Sequence, residues 1–293
     1  MMKINVLTNV AAVKGGVILL GGFDGLHVGH RRLLSRAKTY GLPVGVMTII
    51  GGKCGEGLFT LDERADVFKQ AGVDFVFELD FQKIKELSPM QFLSLLEEEL
   101  APAAYVAGED FRFGKNAAGN VETLKGCHHV RVEILPLLEM DGEKVSATLV
   151  KKMIEAGDVL AANTLLGQEF FVKGEVQKDR QVGRTIGFPT ANIAYPAGKC
   201  ALKEGVYETR VEVDGVSYKA ITNYGARPTF QDGAVWTESY LDGFSGDLYG
   251  RTLTVKFVRY LRGVTKFDSV DELKQQLQTD LDSIRGSNGC GNV

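Results

Sequence analysis

The sequence predicts two domains: a doubly wound α/β sheet, then a small antiparallel β-barrel closed by a terminal helix. Three observations lead there. In the first half, wholly apolar runs alternate with amphipathic helical stretches, as parallel strands joined by helices do. After Gly167 apolar residues recur at every second position instead, on either side of an Asp214-Gly215 turn. A chain of 293 residues is long enough for two hydrophobic cores. The boundary is expected after Gly167, giving domains 1–167 and 168–293.

The elements follow in order. Gly16–Leu20 is a buried strand, and Arg31–Ala37 has helical spacing. Pro43–Ile50 is apolar throughout, which suits a strand covered on both faces. Thr60-Leu61-Asp62-Glu63 is a capping box that opens a helix running to about Gly72. Val73–Leu79 is a third strand. Ser88-Pro89-Met90-Gln91 starts a helix with a capping serine, a proline at the first position and a glutamine at the third. Its inward face is Leu93, Leu96 and Leu100, widened by Phe92 and Leu95. Ala104–Ala107 and Val130–Leu135 complete the sheet, and two helices, ending at Gly157 and Gly167, close the half. In the second half Phe170–Val176, the Tyr207–Ala220 hairpin and Thr252–Val258 are barrel strands. A last helix follows Ser269, with Val270, Leu273, Leu277, Leu281 and Ile284 as its core-facing stripe.

Composition excludes several function classes. With 44% hydrophobic and 24% charged residues the chain reads as an ordinary soluble protein. No apolar run approaches the roughly 20 residues that span a bilayer, and the first residues form no secretory signal. A cytoplasmic location with no membrane partner is therefore expected. Residues 1–167 hold 18 basic and 21 acidic side chains and the rest 16 of each, which argues against nucleic acid as a partner. Cys54, Cys127, Cys200 and Cys290 are too scattered for a zinc pair and read as free thiols. Cys127-His128-His129 lacks a second pair at ligand spacing and reads as a polar loop.

Chemistry in the first half gathers at Gly21-Gly22-Phe23-Asp24-Gly25-Leu26-His27-Val28-Gly29-His30. Strand, glycine turn and helix start bring backbone N–H groups and a positive helix end to face an anion. His27 and His30 stand at that helix mouth, within reach of one phosphate. A second loop, Gly108-Glu109-Asp110-Phe111-Arg112-Phe113-Gly114-Lys115, also follows a strand. Its two phenylalanines are costly to expose on a solvated turn, so a ring-stacking binding loop is expected.

The first of these stretches resembles the HxGH signature of the nucleotidyltransferase superfamily. Together with GEDFRFG and Val145-Ser146-Ala147-Thr148, it resembles the adenylyltransferase half of the prokaryotic bifunctional riboflavin kinase/FAD synthetases. The resemblance implies a Rossmann-like fold and transfer of AMP from ATP to FMN, giving FAD and pyrophosphate. It implies that His27 and His30 stabilise charge at the α-phosphate, with Gly21, Phe23, Asp24, Gly25 and Gly29 around the phosphates. Asp110, Phe111, Arg112 and Phe113 would lie beside the flavin, and Lys144, Ser146, Thr148 and Lys151 would bind nucleotide. The chain departs from the family in five places. Gly22 stands where an asparagine is usual, Gly51–Cys54 replaces a Pro-His-Pro, Lys144 and Lys151 replace arginines, and Ala147 replaces a serine. Lysine keeps the charge but not the bidentate fork.

In the second half, Gly183-Arg184-Thr185-Ile186-Gly187-Phe188-Pro189-Thr190-Ala191-Asn192 combines a glycine-flanked arginine with two hard-oxygen side chains at i, i+2. Asn223–Phe230 and Glu238-Ser239-Tyr240-Leu241 follow. These segments resemble the riboflavin kinase module of the same family. The resemblance implies ATP as co-substrate, riboflavin as acceptor and FMN and ADP as products. Thr190 and Asn192 would hold Mg²⁺, with Gly183, Arg184, Gly187 and Pro189 at the nucleotide. Glu238 would take the proton of the ribityl hydroxyl, and Arg262 would stand near the flavin. Two alternatives remain open at this level: a riboflavin kinase whose first domain only binds nucleotide or flavin, and a nucleic-acid-binding protein.

Overall fold

The computed structural model describes residues 3–8, 13–51, 56–127, 129–178, 187–226 and 234–286. Gly52, Lys53 and Cys54, His128, Gly183 and Arg184, Arg227–Phe230 and the tail holding Cys290 lie outside the described residues. The chain divides into two compact units, Met1–Leu149 and Val150–Val293.

The first unit contains β1 (Lys3–Val6), β2 (Val17–Leu20), α1 (Val28–Lys38), β3 (Val44–Ile50), α2 (Leu61–Gln70) and β4 (Phe75–Asp80). It continues with α3 (Phe81–Ile84), α4 (Pro89–Leu100), β5 (Ala104–Gly108), α5 (Val121–Lys125), β6 (Arg131–Leu135) and a hairpin of β7 (Glu139–Met140) and β8 (Glu143–Lys144). The sheet order is β1-β4-β3-β2-β5-β6. β2 to β6 pair in parallel, and β1 adds an antiparallel edge that the sequence reading did not foresee. α4 buries Phe92, Leu93, Leu96 and Leu100 against Ile18, Leu20, Phe77 and Tyr105. The alternate residues Val17, Leu19 and Val46 are equally buried, so both faces are covered, as wholly apolar strands require. Both capping boxes form, at Thr60 with Glu63 and at Ser88 with Gln91. From β2 the chain winds outward through β3 and β4, then crosses back to β5 and β6. The carboxyl ends of β2 and β5 therefore border the switch-point crevice where such sheets bind ligands.

The second unit opens with α6 (Ala147–Ala156), which begins just before its boundary, and α7 (Val159–Leu166). Then come β9 (Phe170–Gln177), β10 (Ala191–Ala194), β11 (Gly205–Val213), β12 (Val216–Ala226), β13 (Val235–Leu241) and β14 (Thr252–Arg262), and finally α8 (Val270–Gly286). The six strands close into a barrel in the order β10-β13-β12-β11-β14-β9. Asp214 and Gly215 turn β11 into β12 with φ of 52° and 79°, both left-handed, as a two-residue hairpin demands. Inside the barrel Thr209, Thr222 and Ser239 form a hydroxyl chain at 2.7 and 2.8 Å, so no buried oxygen of the three is orphaned.

α8 differs from expectation. Leu281 and Ile284 are buried on Val206 and Ile221, but Val270 is 54% exposed and Leu273 and Leu277 are half-buried. The stripe packs only at its C-terminal end. Charged ties supply much of the rest: Arg262 grips the buried carboxylate of Asp280 at 2.7 and 3.1 Å, and Arg285 holds Asp242 at 2.6 and 2.8 Å.

Gly45 of β3 lies against the Phe75 ring, where an added Cβ would fall 2.3 Å from two ring carbons. Gly45→Ala should therefore lower stability by about 1–3 kcal/mol through overpacking, measured as a shift in the denaturant midpoint of the first unit.

Candidate active sites

The glycine turn after β2 leads directly into α1, and the first turn of that helix is built from the two histidines. His27 is the N-cap: its Nδ1 accepts the His30 backbone N–H at 3.2 Å, a task more often given to serine or aspartate. His30 Nδ1 lies 2.9 Å from the Gly25 carbonyl oxygen. The rings stack at 3.6 Å, 18° from parallel, and Phe23 packs on His30 at 4.2 Å. Gly29 permits this arrangement, since a Cβ there would stand 3.1 Å from the His27 ring.

These partners assign the tautomers. A nitrogen that accepts an N–H carries no proton, so neutral His27 bears its proton on Nε2. A carbonyl only accepts, so His30 bears its proton on Nδ1 and offers Nε2 as an acceptor. Burial lowers the His27 pKa to about 4, with the Lys144 charge adding to the fall and Asp110 opposing it. Burial, and then the neighbouring His27, place His30 well below its usual range as well. Both imidazoles are neutral near pH 7.

They border a cavity of about 840 Å³ at the carboxyl ends of β2 and β5. Of the expected site residues, Gly21, His27, Gly29, His30, Asp110–Phe113, Lys144 and Ser146 line it, and so does Gly22. Ser146 Oγ accepts the Leu149 N–H at 3.2 Å and caps α6, so a second helix start reaches the cavity through Ser146 and Ala147. Lys144 on β8 pairs with Asp110 from the loop after β5. Phe111 and Phe113 border the cavity from within the core, stacked on each other at 5.4 Å and only 8% and 5% exposed. Their burial answers the cost of exposing them.

Other expected residues stand elsewhere. Phe23 is 1% exposed, and Gly25 is likewise buried beneath the turn. The Asp24 carboxylate accepts the Leu58 N–H at 3.0 Å and pairs with Arg64 of α2 at 2.5 Å. Thr148 and Lys151 lie further along α6, Lys151 within the second unit. The sequence reading missed Phe81, Gln82 and Lys85 at and after α3, and Leu137 and Leu138 after β6, all of which line the cavity. Four-residue helices and non-periodic loops carry no pattern that marks them.

In the second unit the candidate residues meet on the outside of the barrel. Glu238 of β13 stands directly opposite Asn192 of β10 and Asn223 of β12. Its neighbour Ser239 points into the hydroxyl chain, so Glu238 points outward. Thr190 precedes β10 at the i−2 position from Asn192, which is 5% exposed. Gly187 takes φ of 88° in the turn that delivers Phe188 and Pro189. The Phe188 ring rests on Tyr240 at 5.0 Å, beside the apolar cluster under α8. Among the described residues, polar side chains from three strands thus adjoin two aromatic rings. The sequence reading had not singled out Asn223 or Tyr240 as site residues; cross-strand register alone reveals them. Arg262 lies close by, its guanidinium engaged by Asp280. Among the described residues no cluster of three or more His, Cys, Asp or Glu could hold a metal ion. Cys127 and Cys200 are buried thiols, and His129 pairs with Glu97 at 2.9 Å.

The neutral histidines set a pH dependence. Folded His27 stays unprotonated down to about pH 4, whereas the unfolded imidazole titrates near 6.5. Between those values the unfolded chain binds more protons, so the contribution is complete above 6.5 and is lost as pH falls toward 4. Melting of the first unit from pH 7.5 to 4.5 should show this slope. His27→Asn, a strong N-cap that does not titrate, should make it shallower and leave the share of His30.

Comparison with known proteins gives a consistent picture. A family model described as FAD synthetase matches residues 10–149, and one described as riboflavin kinase matches residues 166–287. A bifunctional riboflavin kinase/FMN adenylyltransferase of Bacillus subtilis is 33% identical over 288 residues, covering 90% of both chains. The protein of that name from Pseudomonas fluorescens is 34% identical over 93% of both. A Streptococcus pneumoniae crystal structure titled as a macrolide-efflux protein has a TM-score of 0.86 at 30% identity, covering 97% of this chain and 98% of that one. Among the described residues no helix of this chain is long and apolar enough to cross a membrane. Matched by both family models in order and along nearly its full length by these relatives, the chain belongs to the bifunctional riboflavin kinase/FMN adenylyltransferase family.

Proposed function

We propose that the protein phosphorylates riboflavin to FMN on the barrel and adenylylates FMN to FAD in the α/β unit, with ATP as co-substrate of both steps. The observation that carries the second step is the cavity at the switch point, which retains both histidines, a capped helix start and a lysine. A kinase whose first unit had become a mere binding module would have no need to hold two stacked imidazoles in fixed tautomers. The functional boundary is taken after Gly167, and the start of the riboflavin kinase match at residue 166 supports it. An ATP-consuming biosynthetic enzyme of this kind fits the cytoplasm.

In the α/β unit an FMN phosphate oxygen attacks the α-phosphorus of ATP, and the bond to the bridging oxygen breaks to release pyrophosphate. His27 can donate from Nε2 to an α-phosphate oxygen without a change of charge. His30 presents Nε2 as an acceptor, and becomes a donor once a phosphate beside it raises its proton affinity. Lys144 supplies a mobile positive charge in place of a guanidinium fork. Gly21, Gly22 and Gly29 allow close approach of the phosphates. Phe23, Asp24 and Gly25 hold the turn, and Asp110–Phe113 wall the flavin side.

On the barrel Glu238 takes the ribityl hydroxyl proton as the oxygen attacks the γ-phosphorus and ADP departs. Thr190 and Asn192 are neutral hard-oxygen donors one strand away from that carboxylate, a set that fits Mg²⁺ held mainly by phosphates. Bound there, the ion would neutralise charge on the transferred group. Phe188 and Tyr240 offer ring surface to the flavin, with Gly187 and Pro189 shaping the turn. Arg262 acts at this site by fixing α8.

Product analysis of riboflavin with excess ATP and Mg²⁺ should show FMN and then FAD. A His27→Ala, His30→Ala variant should stop at FMN, and FAD formation equal to that control would exclude the second step. Glu238→Gln should lower FMN formation by about 10²–10⁴-fold while AMP transfer to supplied FMN persists. Gly22→Asn should fold normally, since nothing lies within 4 Å of its added Cβ. Its rate of FAD formation should equal or exceed that of the parent.

A further inference from the structure

Gly25 is squeezed between two residues that one arginine holds. Arg64, on the first turn of α2, places Nη2 2.5 Å from the Asp24 carboxylate and donates from Nε to the Phe59 carbonyl at 3.0 Å. Asp24 precedes Gly25 in the chain, and its other oxygen accepts the Leu58 N–H at 3.0 Å. The Phe59 ring packs onto Gly25 from the other side, about 3.0 Å from where a Cβ would stand. The carbonyl of Gly25 then receives His30 Nδ1 at 2.9 Å. Arg64 and Asp24 are mostly buried, 16% and 15% exposed, so each charge depends on the other for compensation. Gly57 makes room for the pair, since a Cβ there would meet Arg64 at 2.5 Å and Asp24 at 2.9 Å.

We propose that Arg64 is a positioning residue for adenylyl transfer, acting through Asp24, Phe59 and the Gly25 carbonyl to fix the orientation and tautomer of His30. Arg64 is absent from the residues that line the cavity, and no resemblance or motif assigns it a role. The guanidinium is suited to the task because one rigid fork serves a carboxylate and a carbonyl together, which an ammonium cannot do in the same geometry. Without it, the Gly21–Gly25 turn keeps its glycine freedom but loses the tie to α2 that determines where its last carbonyl points. The inference rests on His30 taking part in AMP transfer, so its test includes a readout that does not depend on catalysis.

Arg64→Met, Arg64→Lys, Asp24→Asn and the double variant Arg64→Met/Asp24→Asn would be made in the full chain. The double variant leaves no unpaired buried charge and guards against simple unfolding. Nitrogen NMR of the imidazoles at pH 7.5 should show His30 as the Nδ1–H tautomer in the parent and a mixture in both Met variants. FAD formation should fall in kcat by about ten- to a hundredfold, with KM for ATP and FMN within twofold and riboflavin phosphorylation unchanged. Arg64→Lys should fall between. The double variant should be no worse than the more impaired single, as expected for residues acting as one unit. An unchanged His30 tautomer in the Met variants would overturn the proposal, and so would additive losses. Near-normal Arg64 variants beside a crippled Asp24→Asn would also overturn it, placing Asp24 on the substrate. If the parent makes no FAD at all, the functional reading fails, while the NMR result still decides whether Arg64 orients His30.

Discussion

The contact between His30 Nδ1 and the Gly25 carbonyl, 2.9 Å long, decides what the mouth of α1 can offer an anion. A backbone carbonyl cannot donate, so it pins the imidazole proton on the inner nitrogen and turns the outer one into an acceptor. The His30 backbone N–H does the converse to His27, pinning that proton on the outer nitrogen. The two stacked rings are therefore not equivalent. They form one donor and one acceptor, both uncharged because burial disfavours two imidazoliums 3.6 Å apart. Positive charge at this end of the sheet comes from the helix starts and from Lys85, Arg112 and Lys144, while the histidines supply directional hydrogen bonds that need no solvent rearrangement.

The second unit solves a different problem with the same economy of parts. A closed barrel leaves no sheet edge, so its chemistry must stand on one of its two faces. The inside is taken by Thr209, Thr222 and Ser239, whose hydroxyls satisfy one another, and by aromatic packing of Tyr207 on Phe257. Because side chains alternate, burying Ser239 forces Glu238 outward, and register then brings Asn192 and Asn223 to either side of it. A shift of one residue in β13 would turn Glu238 into the barrel and Ser239 out of it.

Much of this was legible in the chain itself. Apolar runs gave β2 to β5 within a residue or two, because strands buried on both faces tolerate little else. The boxes at Thr60 and Ser88 marked α2 and α4 because capping chemistry is local. Edge strand β1 escaped notice, being short and half exposed. The reading of α8 went astray because periodicity shows which residues could share a face, not how much of that face finds a partner. Val270 continues the stripe and meets no core. In the site, residue types were readable and contacts were not. Asp24 sits in the most conspicuous motif of the chain, yet its carboxylate is held by Arg64, 40 positions later, which no local pattern could indicate.

The positions that the sequence marks as departures from the resembled pattern bear on the same distinction between charge and geometry. Lys144 carries one positive charge on a flexible stem and lies on Asp110, both about half exposed. Such a pair is worth roughly 0–1 kcal/mol, little enough for a phosphate to draw the lysine away. Ser146 caps α6, so that helix start does not depend on a hydroxyl at Ala147. A lysine brings charge without a bidentate fork, and the guanidinium among the residues lining the cavity is that of Arg112. The guanidinium of Arg64, by contrast, is held within the protein by Asp24 and the Phe59 carbonyl. Precision in the first unit thus comes from how its turn is tied down, whereas the charge of Lys144 sits on a flexible, half-exposed stem.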